Sequence, residues 1–331
     1  MRKKIICSLL AFCIIVTLFT VAASAEKEEQ IVIPHTYLTS EECAETFGNL
    51  EGYYENLSQK SLDFFMQQKC TTVEDYIAYT QAQACEISEA NQAAMDDIIA
   101  SVADKMADAG MKLPDNVSVA IAFTTMKEAC GAGGYTHGTT IFLNSEFSAY
   151  LENLGDSLSK EKMEIYFAHE LFHCLTRNNP KFRTAMYSLI GFTVTDSEFV
   201  IPDYVHEQMI ANPDVGHHDS YATFTINGEK KDGYLVFLTE DEFEQPGDSF
   251  FDGMYTGIVT LEDGMLYNCE QASDFYDIVG RNTDYCEDPE ECMAMNFSYA
   301  VVYGMDGPSG AGYETPELIE NIIALMQSGD F

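Results

Sequence analysis

The sequence predicts an α+β fold, with a helical amino-terminal region and a small mixed sheet. Three observations carry this. Ile87, Asn91, Ala94, Ile98, Val102, Met106 and Ala109 recur every three to four residues, the stripe of a one-sided helix. Val117, Val119, Ile121 and Phe123 alternate with small residues, as in a strand with one buried face. No low-complexity linker interrupts the chain, so residues 26–115 (helical) and 116–331 (mixed, with a β-rich insertion around 190–280) are expected to form one compact unit.

In chain order, residues 40–112 read as helical. Thr72-Val73-Glu74-Asp75 has the form of a capping box opening a long helix, which Gly110 and Pro114 close. Residues 117–143 read as extended. Gly131-Ala132-Gly133-Gly134 lacks the strand and helix that flank a nucleotide-binding loop, and it reads as a hairpin loop leading into a strand over 139–143. Residues 159–177 form a helix ended by Asn178-Asn179-Pro180. Asn227-Gly228 and Asp263-Gly264 sit between strand-like runs and predict hairpins. Pro289 opens a helix to about Tyr303, and Thr315-Pro316-Glu317 opens a last one ending near Ser328-Gly329.

Charge narrows the function. With 17 Lys and Arg against 54 Asp and Glu in 331 residues, the net charge is −37. Binding to nucleic acid or to an anionic lipid surface needs clustered cations, so neither partner is expected. Residues 1–25 have the form of a secretory signal: Arg2, Lys3 and Lys4, an apolar run from Ile5 to Val21, and Ala23-Ser24-Ala25 before the acidic Glu26. Cleavage after Ala25 would give a secreted chain with a net charge of about −40 and no remaining apolar span. Eight cysteines remain (43, 70, 85, 130, 174, 269, 286 and 292), an even number that permits disulfides in an exported protein but allows 105 pairings. A mixture of bridges and buried thiols is expected.

The chemistry centres on His169-Glu170-Leu171-Phe172-His173. Histidines four apart lie one turn apart on the same helix face, so both imidazoles can reach one zinc ion, with bonds of about 2.0–2.1 Å. Glu170 is rotated by about 100°. It stands beside the metal, placed to take a proton from activated water as a general base. A third ligand must come from elsewhere. Two segments compete: the loop 212–219, with Asp214, His217, His218 and Asp219, and the segment 288–297, where carboxylates fall in the first turn of a helix. Neither a Gly-x-Ser-x-Gly elbow nor a phosphate-binding loop is present.

The HExxH helix followed by a glutamate on a second helix resembles the zincin metallopeptidases that use a glutamate ligand. Residues 288–297 read Asp-Pro-Glu-Glu-Cys-Met-Ala-Met-Asn-Phe. They are similar to the His-Pro-Glu-Glu-x-x-Ala-Glu-Asn-Phe segment of a poorly characterised bacterial family of secreted zinc metallopeptidases. Gly133-Gly134-Tyr135-Thr136, Ile141-Phe142-Leu143, Thr176-Arg177, Leu189-Ile190-Gly191-Phe192, Asn212-Pro213-Asp214 and Asn282-Thr283-Asp284-Tyr285 extend the likeness over residues 117–327. The resemblance implies a zincin-like fold and zinc as cofactor, with a peptide or protein as substrate. His169, His173 and Glu291 would be the metal ligands and Glu170 the base. Glu290 is the alternative carboxylate, with Cys286 and Cys292 as outside donors. Tyr285, six residues before Glu291, would stabilise an oxyanion. Residues 139–143 would be the edge strand that pairs with an extended substrate. The chain departs from the family where Met295 replaces a glutamate that orients a ligand imidazole, leaving Asn296 or an acid from another loop to do so. That departure leaves open a second function: a catalytically silent, zinc-stabilised binding or cell-surface protein on a zincin fold. A third is a disulfide-braced adhesin in which the motif is accidental.

Overall fold

A computed structural model describes residues 30–50, 52–69, 71–239 and 253–331. The expected secretory segment, 1–25, lies outside the described residues, as does Cys70. The chain opens with β1 (His35–Tyr37), α1 (Ser40–Phe47), α2 (Gln59–Met66), α3 (Val73–Gln81), β2 (Ala84–Cys85) and α4 (Glu89–Asp108). Strands β3 (Val119–Thr124), β4 (Gly134–His137) and β5 (Thr140–Asn144) follow, then a single turn α5 (Ser148–Leu151) and the helices α6 (Ser157–Asn178) and α7 (Pro180–Ser188). The middle holds β6 (Thr193–Val194), α8 (Asp203–His206), β7 (Ser220–Ile226), β8 (Glu229–Thr239), β9 (Met254–Thr260), β10 (Leu266–Asn268) and α9 (Phe275–Val279). Helices α10 (Pro289–Tyr303) and α11 (Pro316–Ser328) end the chain. Among the described residues no helix is long and apolar enough to cross a membrane.

The architecture is α+β with two five-stranded sheets. One is mixed, in the order β1-β3-β5-β4 with β2 alongside β3; β1, β3 and β5 are parallel, while β2 and β4 run antiparallel to their neighbours. The other is antiparallel, β10-β9-β8-β7-β6. Its hairpins turn at Asn227-Gly228 and Gly264, all at positive φ, the conformation those dipeptides favour. The main core packs α4, α6, α10 and α11 under the mixed sheet, with Ile98, Val102, Phe167, Leu171, Phe172, Phe297 and Ile322 buried within it. Phe172 of α6 meets Phe297 of α10 at 5.4 Å between ring centroids, so aromatic packing joins the helices that carry His169, His173 and Glu291.

Several local expectations need correction. The capping box at Thr72 and Asp75 forms, but it opens a helix of nine residues only. Ser88 caps the long helix, because the chain between them pairs briefly with β3 as β2. The glycine run is not the loop of a hairpin. It leads into β4, and the β4–β5 turn falls at Gly138, at positive φ. Residues 139–143 are not an edge strand either: β5 lies between β3 and β4, and β4 is the edge. The small residues Gly133 and Gly134 hid that strand, since neither supplies an apolar alternation to read.

Candidate metal centre

Helix α6 begins at Asp156, whose carboxylate caps the Ser159 amide at 3.0 Å, and it runs unbroken through the motif. His169 and His173 therefore lie one turn apart, their ring centroids separated by 4.8 Å. Helix α10 starts at Asp288, whose side chain accepts from the Glu290 amide at 2.9 Å, with Pro289 in the first turn. Its amino terminus points Glu290 and Glu291 at the histidines, and the positive end of the helix dipole favours those carboxylates there.

Glu291 Oε2 lies 3.1 Å from His169 Nε2 and 3.8 Å from His173 Nε2. The three donor atoms are mutually within 4.8 Å. Tetrahedral zinc with bonds of 2.0–2.2 Å separates its ligand atoms by about 3.3 Å, so these distances suit one shared cation. His173 and Glu291 are fully buried. His173 Nε2 and Glu291 Oε2 have no hydrogen-bond partner, an arrangement that is costly unless a cation lies between them. The residues present thus fit a metal ion, and the sequence-predicted set His169, His173 and Glu291 is brought together.

The outer contacts differ from the sequence reading. Glu290 is not an alternative ligand: its Oε1 holds His173 Nδ1 at 2.9 Å, while Thr176 and Tyr187 donate their hydroxyls to the same carboxylate. Burial alone would raise the Glu290 pKa. The His173 hydrogen bond and charge, with Arg177, outweigh it and hold the group down at about 2. Asn212 donates to Glu291 Oε1 at 2.8 Å and to Glu287 at 3.2 Å. Burial likewise opposes ionisation of Glu291, but the two imidazoles and Asn212 keep it below the usual carboxylate range. Asn296 orients no imidazole; it bonds Asn282 and the Cys292 carbonyl. His169 Nδ1 is buried without a hydrogen-bond partner. Cys286 and Cys292 contact each other at 3.5 Å and are absent from the donor clusters. The seven described cysteines are free thiols, so no bridge forms among the described residues.

Glu170 is buried beside the ligands. Thr136 Oγ1 donates to its Oε2 at 2.8 Å. Burial and then the charge of Asp214 push its pKa well up. Sequence reasoning weighed the loop 212–219 as a ligand source but did not single out Asp214. That carboxylate is buried, lies 3.8 Å from His173 Nε2, and accepts the Thr136 amide at 2.5 Å. Burial raises its pKa to about 7, with His173 opposing. The same loop's His217 pairs instead with exposed Glu198 at 2.6 Å, in a separate cluster with Asp219. Tyr285 lines the cleft next to the candidate metal ligands, its ring 6.2 Å from that of His169. Burial, reinforced by Glu291 and Glu287, holds its hydroxyl protonated.

The buried acids give a pH dependence with a definite sign. Glu170, Asp214, Glu287 and Asp288 all have raised folded-state pKa values, chiefly through burial. Such groups stabilise the fold below their unfolded pKa of about 4 and lose that contribution as pH rises through the folded value. The contribution of these four carboxyls to the metal-free protein is therefore expected to fall between about pH 4 and pH 7, against buried His137 and His218, whose lowered values act in the opposite sense. Saturating divalent zinc should flatten that slope by compensating the carboxylates, as thermal melts across the range would read.

The cleft in front of these residues has a volume of about 870 Å³. It runs between α6 and the edge strand β4, with Met295, Tyr299 and Tyr303 of α10 on its wall. Gly133 is required by this contact: a Cβ there would lie 2.4 Å from the Tyr166 ring. Gly133→Ala should push the ring aside and destabilise the fold by about 1–3 kcal/mol, measurable by chemical denaturation. Comparison with protein-family models, curated proteins and solved structures finds no match to this chain.

Proposed function

We propose that this chain is a secreted zinc-dependent peptidase on a zincin-like fold, with His169, His173 and Glu291 as the metal-holding residues. The observation that carries the reading is the convergence of His173 Nε2 and Glu291 Oε2, two buried atoms without a hydrogen bond, with His169 Nε2; Glu170 lies beside them and shares a second donor cluster with His173 and Asp214. Bound zinc would supply Lewis acidity, acidifying water and polarising a carbonyl. Glu170 then has the role of base: it accepts the proton of the attacking water and returns it to the leaving nitrogen. Thr136 fixes Glu170 Oε2, and Oε1 lies against Gly134, where a Cβ would come within 3.2 Å. A glycine there leaves the base uncrowded. Glu290 sets the His173 ring by its Nδ1 contact. Tyr285, kept protonated by its surroundings, is the donor for the developing oxyanion. Tyr285→Phe is expected to lower kcat about 100-fold with little change in bound zinc, as turnover and metal analysis would report.

One observation favours a second reading, a zinc-stabilised binding protein without turnover. His169 Nδ1 has no hydrogen-bond partner, and this chain has Met295 at the position where the family it resembles carries a glutamate. Such a protein would bind zinc and cleave no peptide. A mixed peptide library digested by zinc-loaded protein, analysed by mass spectrometry, separates the two: products that vanish on chelation support the peptidase, and a zinc-bound chain that yields none supports the silent scaffold.

A further inference from the structure

The cleft is closed at one end, and the closure has a chemical character. On β4, the Asn144 amide bonds the Gly133 carbonyl at 3.0 Å, and the β4–β5 register alternates from there. Gly134 and Thr136 therefore turn their backbone groups away from β5, towards the open edge of the sheet. At Thr136 both groups are taken: Asp214 Oδ1 accepts the amide and Arg177 reaches the carbonyl at 3.4 Å. At Gly134, which lines the cleft, the edge faces open space. Asn212, Pro213 and Asp214 form the wall at that point, and separate cavities lie beyond them. A peptide adding to this edge can pair at Gly134 but cannot continue past Thr136.

The wall presents a carboxylate. Asp214 is buried in the cleft lining, and its Oδ1 accepts the Thr136 amide. Arg177 stands behind the wall and spends its Nη2 on the Asp214 and Thr136 carbonyls. A substrate ammonium group here can donate hydrogen bonds to the Asp214 and Glu170 carboxyl oxygens, whereas a substrate carboxylate would bring only further acceptor oxygens to them. Strand direction agrees. β4 runs alongside α6 in the same sense, Gly133 at Tyr166 and Thr136 at Glu170. An antiparallel peptide, the more stable pairing, would bring its amino end to Thr136 and Asp214. In the other direction the cleft follows one face of α6 from Glu170 back to Leu158, about 18 Å of helix axis, or roughly five extended residues. Lys162, bonded to Tyr150, is the one Lys or Arg among the described residues that line it.

We infer that the chain acts from the amino end of short peptides, with the free α-ammonium group held at the Asp214 wall and the rest of the peptide laid along β4 and α6. This rests on the peptidase reading. The test compares zinc-loaded protein on one pentapeptide in three forms (free, N-acetylated, C-amidated) and on an N-acetylated 12-residue peptide containing the same sequence. The free and C-amidated forms should lose residues from the amino end at similar rates, and N-acetylation should slow cleavage by about 100-fold. Calorimetry with zinc-loaded Glu170→Gln should show the free pentapeptide binding at least about tenfold more tightly than the acetylated one. Asp214→Asn, which keeps the shape, should shrink that preference. Internal cleavage of the blocked 12-mer at the free-peptide rate, release from the carboxyl end, or equal binding of both forms would overturn the inference and leave a peptidase. Cleavage of no peptide in any form would overturn the peptidase reading and this inference with it.

Discussion

Glu170→Gln should retain zinc at the wild-type level and lose peptide hydrolysis by about 10²–10⁴-fold, the span that a positioned general base contributes. The substitution is nearly isosteric. The amide can still accept the Thr136 hydroxyl that now holds Oε2, so the buried contact survives. What disappears is the ability to take and return a proton. The proposed metal ligands are His169, next to Glu170 on α6, His173 one turn on and Glu291 on α10, and none of their hydrogen bonds or ion pairs runs through Glu170. Metal content and melting temperature should therefore remain near wild type. A variant that kept full turnover would remove Glu170 from the chemistry, and one that lost zinc would make it a ligand.

Glu290→Ala should have the larger effect on the folded state. The carboxylate is 3% exposed and collects His173 Nδ1, the Thr176 and Tyr187 hydroxyls and, at 3.5 Å, Arg177 Nη1. Removing it strands His173 Nδ1 and the Tyr187 hydroxyl and leaves Arg177 without its carboxylate, while the Thr176 hydroxyl keeps the His173 carbonyl. Breaking a buried pair in this way costs about 3–5 kcal/mol. It also frees the His173 ring, which should weaken zinc binding by about 10–100-fold. Urea unfolding of the metal-free protein reads the first effect and competition with a chelator the second. Glu290→Gln, which preserves shape and acceptor capacity, should lose far less stability. Equal losses for the two variants would mean that the charge, not the network of acceptors, holds this corner together.

Much of this arrangement was legible in the sequence, for reasons that lie in particular residues. Helices α6, α10 and α11 follow from the Asn178-Asn179-Pro180 stop, from proline in the first turn at 289 and 316, and from long apolar runs. The HExxH spacing fixes both imidazoles on one face, and the resemblance around Pro289-Glu290-Glu291 directed attention to the acid that meets them. The rest depends on contacts between distant segments. Asp214 sits in a loop with no periodicity, and only folding brings it against Thr136 and His173. Glu290 and Glu291 are adjacent in sequence, and which one faces the metal donors is set by the rotation of α10 against α6. The edge position of β4 was invisible because Gly134, and Gly133 before it, carry no pattern. The brief β2 interruption between α3 and α4 left an unbroken helical reading across residues that in fact pair with β3.

The central claim, that His169, His173 and Glu291 share one metal ion, is tested most directly by X-ray absorption on zinc-titrated protein. One zinc per chain, with two imidazole nitrogens at about 2.0–2.1 Å, carboxylate oxygen at about 2.0–2.2 Å and no sulfur, is the predicted result. Failure to take up zinc, or a sulfur neighbour at about 2.3 Å indicating that Cys286 or Cys292 holds the ion instead, would contradict it.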